Sequence, residues 1–344
     1  MSGIGASLRR LQKDQKTGRI KNMSCYHPRK IFYTGRKTET GAKEGILTSG
    51  FLDALSFEQA EKKIKGLKLG DCSGIQWMNG RPFLTLSDDI PCGYCLGCKQ
   101  DYSKDWATRC YLEAKKYGQN NAFLTLTYDN EHLPNTQEEN KRIMQKFLKR
   151  LRKRYGAGIR IAYCGEYGSH TGRIHAHALI MNISITDKKP WNQTLTYSPE
   201  INRIWGNGNV LIGNVTYESA AYVARYVLKK ANGPKDEFFI TSRKPGLGFD
   251  YYTKKGEIFG NGGIYVYTDK GKRLSIPKYF KRKLAQEDPE TAEYLKARAK
   301  KMAEGRDIQM VHAYEGWGNV EKILNRKEEM AKHKQSRMKR PLND

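Results

Sequence analysis

Two histidines one residue apart, in Cys164-Gly-Glu166-Tyr-Gly-Ser-His170-Thr-Gly-Arg173-Ile-His175-Ala-His177-Ala-Leu-Ile180, have the spacing in this chain most suited to chemistry. Side chains alternate along an extended backbone, so a strand over 174–181 points both imidazoles to one face and Ala176 and Ala178 to the other. Glu166 lies upstream across a Gly/Ser/Thr/Gly turn, at the end of a preceding strand over 159–164, where it adds a carboxylate to the pair. Two imidazoles and one carboxylate leave a divalent cation open positions, which suits Mg²⁺ or Mn²⁺ shared with a phosphate oxygen. His170, inside the turn, competes with Glu166 as third ligand. Taken alone, a His-x-His on a half-exposed strand fits solvated surface residues equally well.

A second group lies downstream in Thr216-Tyr-Glu-Ser-Ala-Ala-Tyr222-Val-Ala-Arg225-Tyr226-Val-Leu-Lys229-Lys230. Thr216 is a good N-cap and Asn232-Gly-Pro a stop, so the stretch predicts a helix. Ala220, Val223, Ala224 and Val227 form its apolar face. Tyr222, Tyr226 and Lys229 cluster roughly 140° away at 100° per residue, off the core, as reactive groups or as aromatic rim residues. A phenol with an ordinary pKa near ~10 needs help to attack at neutral pH. A cation drawing charge from a phosphate, with an ammonium such as Lys229 nearby, supplies that help. Its product is a protein–DNA phosphotyrosine, and two tyrosines one turn apart allow a second transfer.

The third group is Cys92-Gly-Tyr-Cys95-Leu-Gly-Cys98. Cys-x-x-Cys spacing brings thiolates to one metal, and a tetrahedral structural zinc needs four ligands. Cys92, Cys95, Cys98 and Cys110 are the economical set, and ordinary reduced thiols are the alternative. Seven cysteines in all, an odd number, argue against a disulfide framework.

The chain has 344 residues, enough for one large or two medium domains, and carries 62 Lys+Arg against 36 Asp+Glu, a net +26. Such an excess calls for a polyanionic partner, nucleic acid before a membrane surface. No apolar run is long enough to span a bilayer and no hydrophobic leader is evident, so a soluble, intracellular protein is expected. No Gly-x-x-x-x-Gly-Lys-Ser/Thr occurs, so a fused helicase motor is not indicated.

The elements that must position these groups begin with a strand at Ala122–Tyr128, which alternates apolar and polar residues. A helix over 136–155 follows, with Ile143, Phe147, Leu151 and Tyr155 as its buried stripe. Its remaining faces are basic, and Arg150, Lys153 and Arg154, with Arg173 and Arg225 beside the other motifs, are the candidate DNA contacts. The order strand, helix, strand, strand, helix, strand, helix predicts an α+β fold with a central antiparallel sheet and flanking helices, of the ferredoxin-like and RNA-recognition-like class. Residues 1–75 read as a basic, loosely ordered flank and 76–118 as a cysteine-cluster region leading into the core. A nuclease core over 119–235, its C-terminal part over 236–285 and a basic helical tail over 286–344 complete the expected division.

These motifs resemble the His-hydrophobic-His (HUH) superfamily of rolling-circle replication initiators. Phe123-Leu-Thr-Leu-Thr-Tyr128 is similar to its first motif, Gly172-Arg173-x-His175-x-His177 to its second and Tyr222-Val-Ala-Arg-Tyr226-Val-x-Lys229 to its third. The paired tyrosine is nearest to the initiators of the microviruses, small single-stranded DNA bacteriophages. The cysteine cluster, Ser242-Arg-Lys-Pro-Gly246 and Ile276-Pro-Lys-Tyr-Phe280 are similar to that group too. The resemblance spans about residues 91–280 and fades in the first 70 residues and the tail. It implies a metal held by Glu166, His175 and His177, with Tyr222 or Tyr226 as nucleophile. The implied reaction nicks the single-stranded or supercoiled phage origin, leaving a 5′-phosphotyrosine and a 3′-hydroxyl for a host polymerase. A host helicase would open the duplex, in the host bacterial cytoplasm. A plasmid or transposon nuclease of the same superfamily, and a non-catalytic module that stacks bases on the sheet, are the rival readings.

Overall fold

A computed structural model describes residues 25–39, 41, 43–49, 54–168, 171–226, 237–252, 259, 263, 265–299, 301 and 320–337. The chain divides into two compact units, one made of residues 1–98 and 298–344, the other of residues 99–297. Composition suggested a different division. The last segment belongs with the first, and residues 286–297 belong with the catalytic motifs.

The first unit departs from the expected loose flank. Strands β1 (Arg29–Lys37) and β2 (Lys43–Ser49) pair antiparallel. Strand β3 (Leu55–Ser56) leads into helix α1 (Phe57–Lys63), followed by β4 (Ile75–Met78), β5 (Arg81–Leu84) and β6 (Ser87–Ile90). They form two three-stranded sheets, ordered β2-β1-β6 and β3-β5-β4. Phe32, Ile46, Leu55, Ala60, Leu67 and Leu84 close a small core. These apolar residues are sparse in sequence and long-range pairing alone gathers them, which is why a basic composition hid them. The β4–β5 turn is the one the sequence signals: Asn79 and Gly80 both have positive φ, 50° and 72°, as a two-residue hairpin loop of this kind requires.

The second unit is built on an antiparallel sheet. Helix α2 (Leu96–Lys115) enters it, and β7 (Asn121–Leu126), α3 (Gln137–Tyr155), β8 (Arg160–Tyr167) and β9 (Ile174–Met181) follow. After two short strands, β10 (Lys189–Pro190) and β11 (Thr196–Tyr197), come α4 (Pro199–Trp205), β12 (Val210–Gly213), α5 (Tyr217–Ala224) and β13 (Phe238–Thr241). The seven strands are ordered β10-β11-β12-β7-β9-β8-β13. Its centre, β12-β7-β9-β8, joined through α3 and α4, is the expected βαββαβ arrangement.

Both faces of this sheet are covered, so the histidine strand is buried rather than half-exposed. On one face Leu124, Ile161, Tyr163, Ala178 and Ile180 pack on Met144, Phe147 and Leu151 of α3 and Trp205 of α4. The indole Nε1 of Trp205 donates to the Thr127 carbonyl at 3.0 Å, satisfying its one polar atom inside the core. On the other face Phe123, Ala162, Cys164, Leu179 and Met181 pack with Ala107 and Cys110 of α2 and with Ala220, Tyr222 and Val223 of α5. The strict alternation between the two sets is the period-two geometry of the strands. Among the described residues, no helix is long and apolar enough to cross a membrane.

Candidate active site

The strand register creates the site. Antiparallel pairing of β8 with β9 sets Glu166 opposite His175 and Cys164 opposite His177. Pairing of β7 with β9 sets Thr125 opposite His177. The α2/α5 side of the sheet therefore carries the two imidazoles and the carboxylate together. His175 Nε2 and His177 Nε2 each lie 3.5 Å from Glu166 Oε2, and the three ligand atoms fall within 4.8 Å of one another.

Each imidazole is held by its other nitrogen. His175 Nδ1 is 3.2 Å from the Arg173 carbonyl, which can only accept, so Nδ1 carries the proton and Nε2 presents a lone pair to the site. His177 Nδ1 is 3.2 Å from the Thr125 hydroxyl, and its ring stacks on Phe123 at 5.7 Å with 12° between planes. Orientation by a partner on the second ring nitrogen is the usual support of a metal-ligating histidine.

Helix α5 brings in the tyrosines. Thr216 Oγ1 accepts from Ser219 N at 3.2 Å and Ser219 Oγ from Thr216 N at 2.8 Å, a reciprocal cap that fixes where the helix starts. Tyr222 and Tyr226, one turn apart, then reach the same carboxylate. The Tyr222 hydroxyl donates to Glu166 Oε2 at 3.1 Å and lies 3.4 Å from His177 Nε2. Tyr226 donates to the same oxygen, and its hydroxyl is 3.4 Å from that of Tyr222. Both rings are buried, 5% and 3% exposed, contrary to the expectation that they sit off the core. They share that core with Ala220, Val223 and Ala224, so the tyrosine side of the helix is covered along with its apolar stripe. Burial and the neighbouring Glu166 charge push the Tyr222 hydroxyl well above the usual phenol range. Burial raises Tyr226 further, with Cys164, Tyr222 and Glu166 adding to it. Burial works against the Glu166 charge, but hydrogen bonds from His175, His177 and Tyr226 outweigh it and hold the carboxyl far below the usual carboxylate range.

A polar network supports the site from behind the sheet, and nothing in the sequence signalled it. Buried Asn140 accepts from the Tyr128 hydroxyl at 2.8 Å, and its Nδ2 donates to Gln137 Oε1 at 2.8 Å and reaches the His175 carbonyl at 3.4 Å. Gly165 makes room for it. A Cβ there would stand 2.2 Å from Gln137 Oε1 and 2.5 Å from the Phe238 ring.

The candidate DNA contacts separate. Arg225 is exposed, with its guanidinium 5.0 Å from the Tyr222 ring centre, at the site. Arg173 is tied to Asn130 Oδ1 and the Tyr128 carbonyl at 2.9 and 3.0 Å. Arg150, Lys153 and Arg154 belong to α3, which covers the opposite face of the sheet. Arg150 caps α4 through the Ile204 and Trp205 carbonyls, and Arg154 pairs with Glu200 at 2.5 Å. Lys229 and His170 lie outside the described residues.

The cysteine expectation needs one exchange. Cys92, Cys95 and Cys98 do gather, but the fourth thiol beside them is Cys25. Cys110 is fully buried in the core of the second unit, where burial pushes its thiol up to about 12.

The family model of the replication-associated protein ORF2 type matches residues 121–231, a span that contains the histidines, Glu166 and both tyrosines. The chain is 34% identical over 271 residues to replication-associated protein ORF2 of Spiroplasma virus 4, covering 70% of this chain and 83% of that one. It is 33% identical over 238 residues to replication-associated protein VP4 of Bdellovibrio phage phiMH2K, with 62% and 75% covered. For replication-associated protein ORF4 of Chlamydia phage 1 the identity is 30% over 286 residues, with 76% and 70% covered. No solved structure matches the chain. With these relatives, and with the three motifs gathered on one sheet, the chain belongs to the replication-associated proteins of the microviruses, a family of phage replication initiators.

Proposed function

We propose that the chain initiates rolling-circle replication by nicking the phage origin strand, as a metal-dependent endonuclease and strand transferase with a tyrosine nucleophile. The observation that carries this reading is the convergence of the Tyr222 and Tyr226 hydroxyls, with His177 Nε2, on Glu166 Oε2. The donor set fits a divalent cation: two imidazole lone pairs and an ionised carboxylate, with Mg²⁺ or Mn²⁺ favoured by the oxygen of Glu166 and of a phosphate. When bound, such a cation withdraws charge from the scissile phosphate's non-bridging oxygens.

The chain's own residues do the rest. A tyrosine hydroxyl gives up its proton as its oxygen attacks phosphorus. The bond from phosphorus to the 3′-oxygen breaks, and that oxygen takes a proton. A 5′-phosphotyrosine and a free 3′-hydroxyl result, with no water consumed and the diester bond conserved for rejoining. The second hydroxyl, 3.4 Å from the first, is placed to attack a later junction. Arg225, over the Tyr222 ring, offers a cation to a phosphate arriving there. Host polymerase extends the 3′-end and a host helicase opens the duplex, with the reaction in the host cytoplasm.

A non-catalytic module would need open aromatic faces for bases. The two tyrosine rings instead meet each other and the His177 ring edge to face, at 5.8 and 4.9 Å. The test is incubation with a single-stranded origin oligonucleotide and Mn²⁺, followed by a denaturing gel and peptide mapping. A covalent adduct at Tyr222 or Tyr226, lost with EDTA and in His175→Ala/His177→Ala, is expected. Binding with no adduct under any divalent metal, on any segment of the phage genome, would return the chain to the binding-module reading.

A further inference from the structure

We infer that Cys25, Cys92, Cys95 and Cys98 form a mononuclear zinc site that fastens the start of β1 to the end of β6. The four sulfurs lie within 4.8 Å of one another, and two of the spacings, Cys92 Sγ to Cys98 Sγ and Cys95 Sγ to Cys25 Sγ, are both 3.8 Å. A tetrahedron with zinc–sulfur bonds of about 2.3 Å has edges of about 3.8 Å. Sulfurs in a disulfide stand at ~2.05 Å, and none of the seven cysteines is bridged.

The surroundings are built for thiolates. Backbone amides donate to three of the sulfurs: Cys92 N to Cys25 Sγ and Cys95 N to Cys92 Sγ at 3.3 Å each, and Tyr26 N and Cys98 N to Cys95 Sγ at 3.3 and 3.4 Å. Gly93, at φ 85°, allows the turn between Cys92 and Cys95. Cys95 immediately precedes helix α2, whose N-terminal dipole favours negative charge there. His27, the neighbouring imidazole, is engaged by Glu328 Oε2 at 2.7 Å, which leaves a sulfur-only set. Such a set selects zinc over the magnesium or manganese suited to the histidine site. On binding, each thiol still protonated releases its proton, so up to four leave per zinc.

Topology explains why Cys25 is a ligand. Strand β1 pairs with β6 so that Arg29 faces Ile90. Antiparallel continuation past that pair brings the residues before Arg29 beside those after Ile90, which are Cys25 and Cys92. The zinc would close this loop and hold together a unit whose apolar core is small, the setting in which structural metals contribute most.

The test uses the full-length protein carrying His175→Ala/His177→Ala, so that the other candidate metal site cannot contribute. Elemental analysis is expected to give one zinc per chain, and cobalt exchange to give the sulfur-to-cobalt charge-transfer bands of a tetrahedral thiolate site. Cys25→Ser should lose the zinc and Cys110→Ala should retain it. Should Cys25→Ser fail to fold, alkylation mapping of the parent decides: Cys25, Cys92, Cys95 and Cys98 are expected to be protected together until a zinc-stripping mercurial is added. Alkylation of Cys25 while the other three stay protected would overturn the assignment. So would iron in place of zinc, disulfides among the four, or zinc lost in a folded Cys110→Ala.

Discussion

His175 and Glu166 face each other across the β8–β9 ladder, and the imidazole Nε2 lies 3.5 Å from the carboxylate Oε2. Neighbouring strands thus supply two of the three ligands without a loop between them, and a rigid sheet fixes their separation.

That rigidity bears on metal binding. Mn²⁺ at 100 times its dissociation constant should raise unfolding free energy by about 2.7 kcal/mol, as for any ligand that binds only the native state. Thermal denaturation with and without Mn²⁺ measures it. In Glu166→Gln and in His175→Ala the increment should vanish, and an unchanged increment in both would place the metal elsewhere.

The tyrosine pair separates binding from cleavage. Tyr222→Phe with Tyr226→Phe removes both donors to Glu166 Oε2 but keeps the rings that pack on Phe123 and His177. Affinity for an origin oligonucleotide should stay within a few-fold, while adduct formation disappears. Each single variant should show which hydroxyl acts first, read as adduct at the remaining tyrosine.

Arg225 and Lys153 differ in position and should differ in effect. Arg225→Ala should slow adduct formation and lower the slope of log affinity against log salt by about 1, the signature of one lost phosphate contact. Lys153→Ala, on the α3 side of the sheet, should leave adduct formation unchanged. Equal losses in the two would mean that DNA wraps the α3 face too.

Gly165→Ala should destabilise the catalytic unit by about 1–3 kcal/mol, the usual cost of overpacking, because the added methyl meets Gln137 and Phe238. Urea denaturation gives the value. A loss below a few tenths of a kcal/mol would show that α3 can shift without penalty.

Glu200 provides a pH signature. Tyr155 and Arg154 hold its carboxyl below the ordinary carboxylate value. A carboxyl lowered in the folded state adds stability that is present above its unfolded pKa and is lost as pH falls through the folded one. Glu200→Gln should therefore melt slightly below the parent at pH 7, with the gap closing in acid below the ordinary carboxylate range. A gap that widens in acid would contradict the assignment.

Much of the catalytic unit was legible in the sequence because its signals are local. Period-two alternation placed His175 and His177 on one face, Thr216 marked the start of α5, and four-residue spacing put Tyr222 and Tyr226 on one side of it. The strand and helix order was enough for the ferredoxin-like core. Tertiary structure alone decided three things, each a matter of long-range pairing. Covering the histidine face with α2 and α5 buried the tyrosines, which helix periodicity had set off the core, since periodicity cannot say how many sides of a helix are covered. The sheet put α3 and its arginines behind the site, because a charge pattern carries no information on which face of a sheet a helix will take. The β1–β6 register chose Cys25 over Cys110 as fourth thiol. Cys110 is near the cluster in sequence, but helix α2 carries it away at about 1.5 Å per residue, and an antiparallel pair returns Cys25 from far upstream.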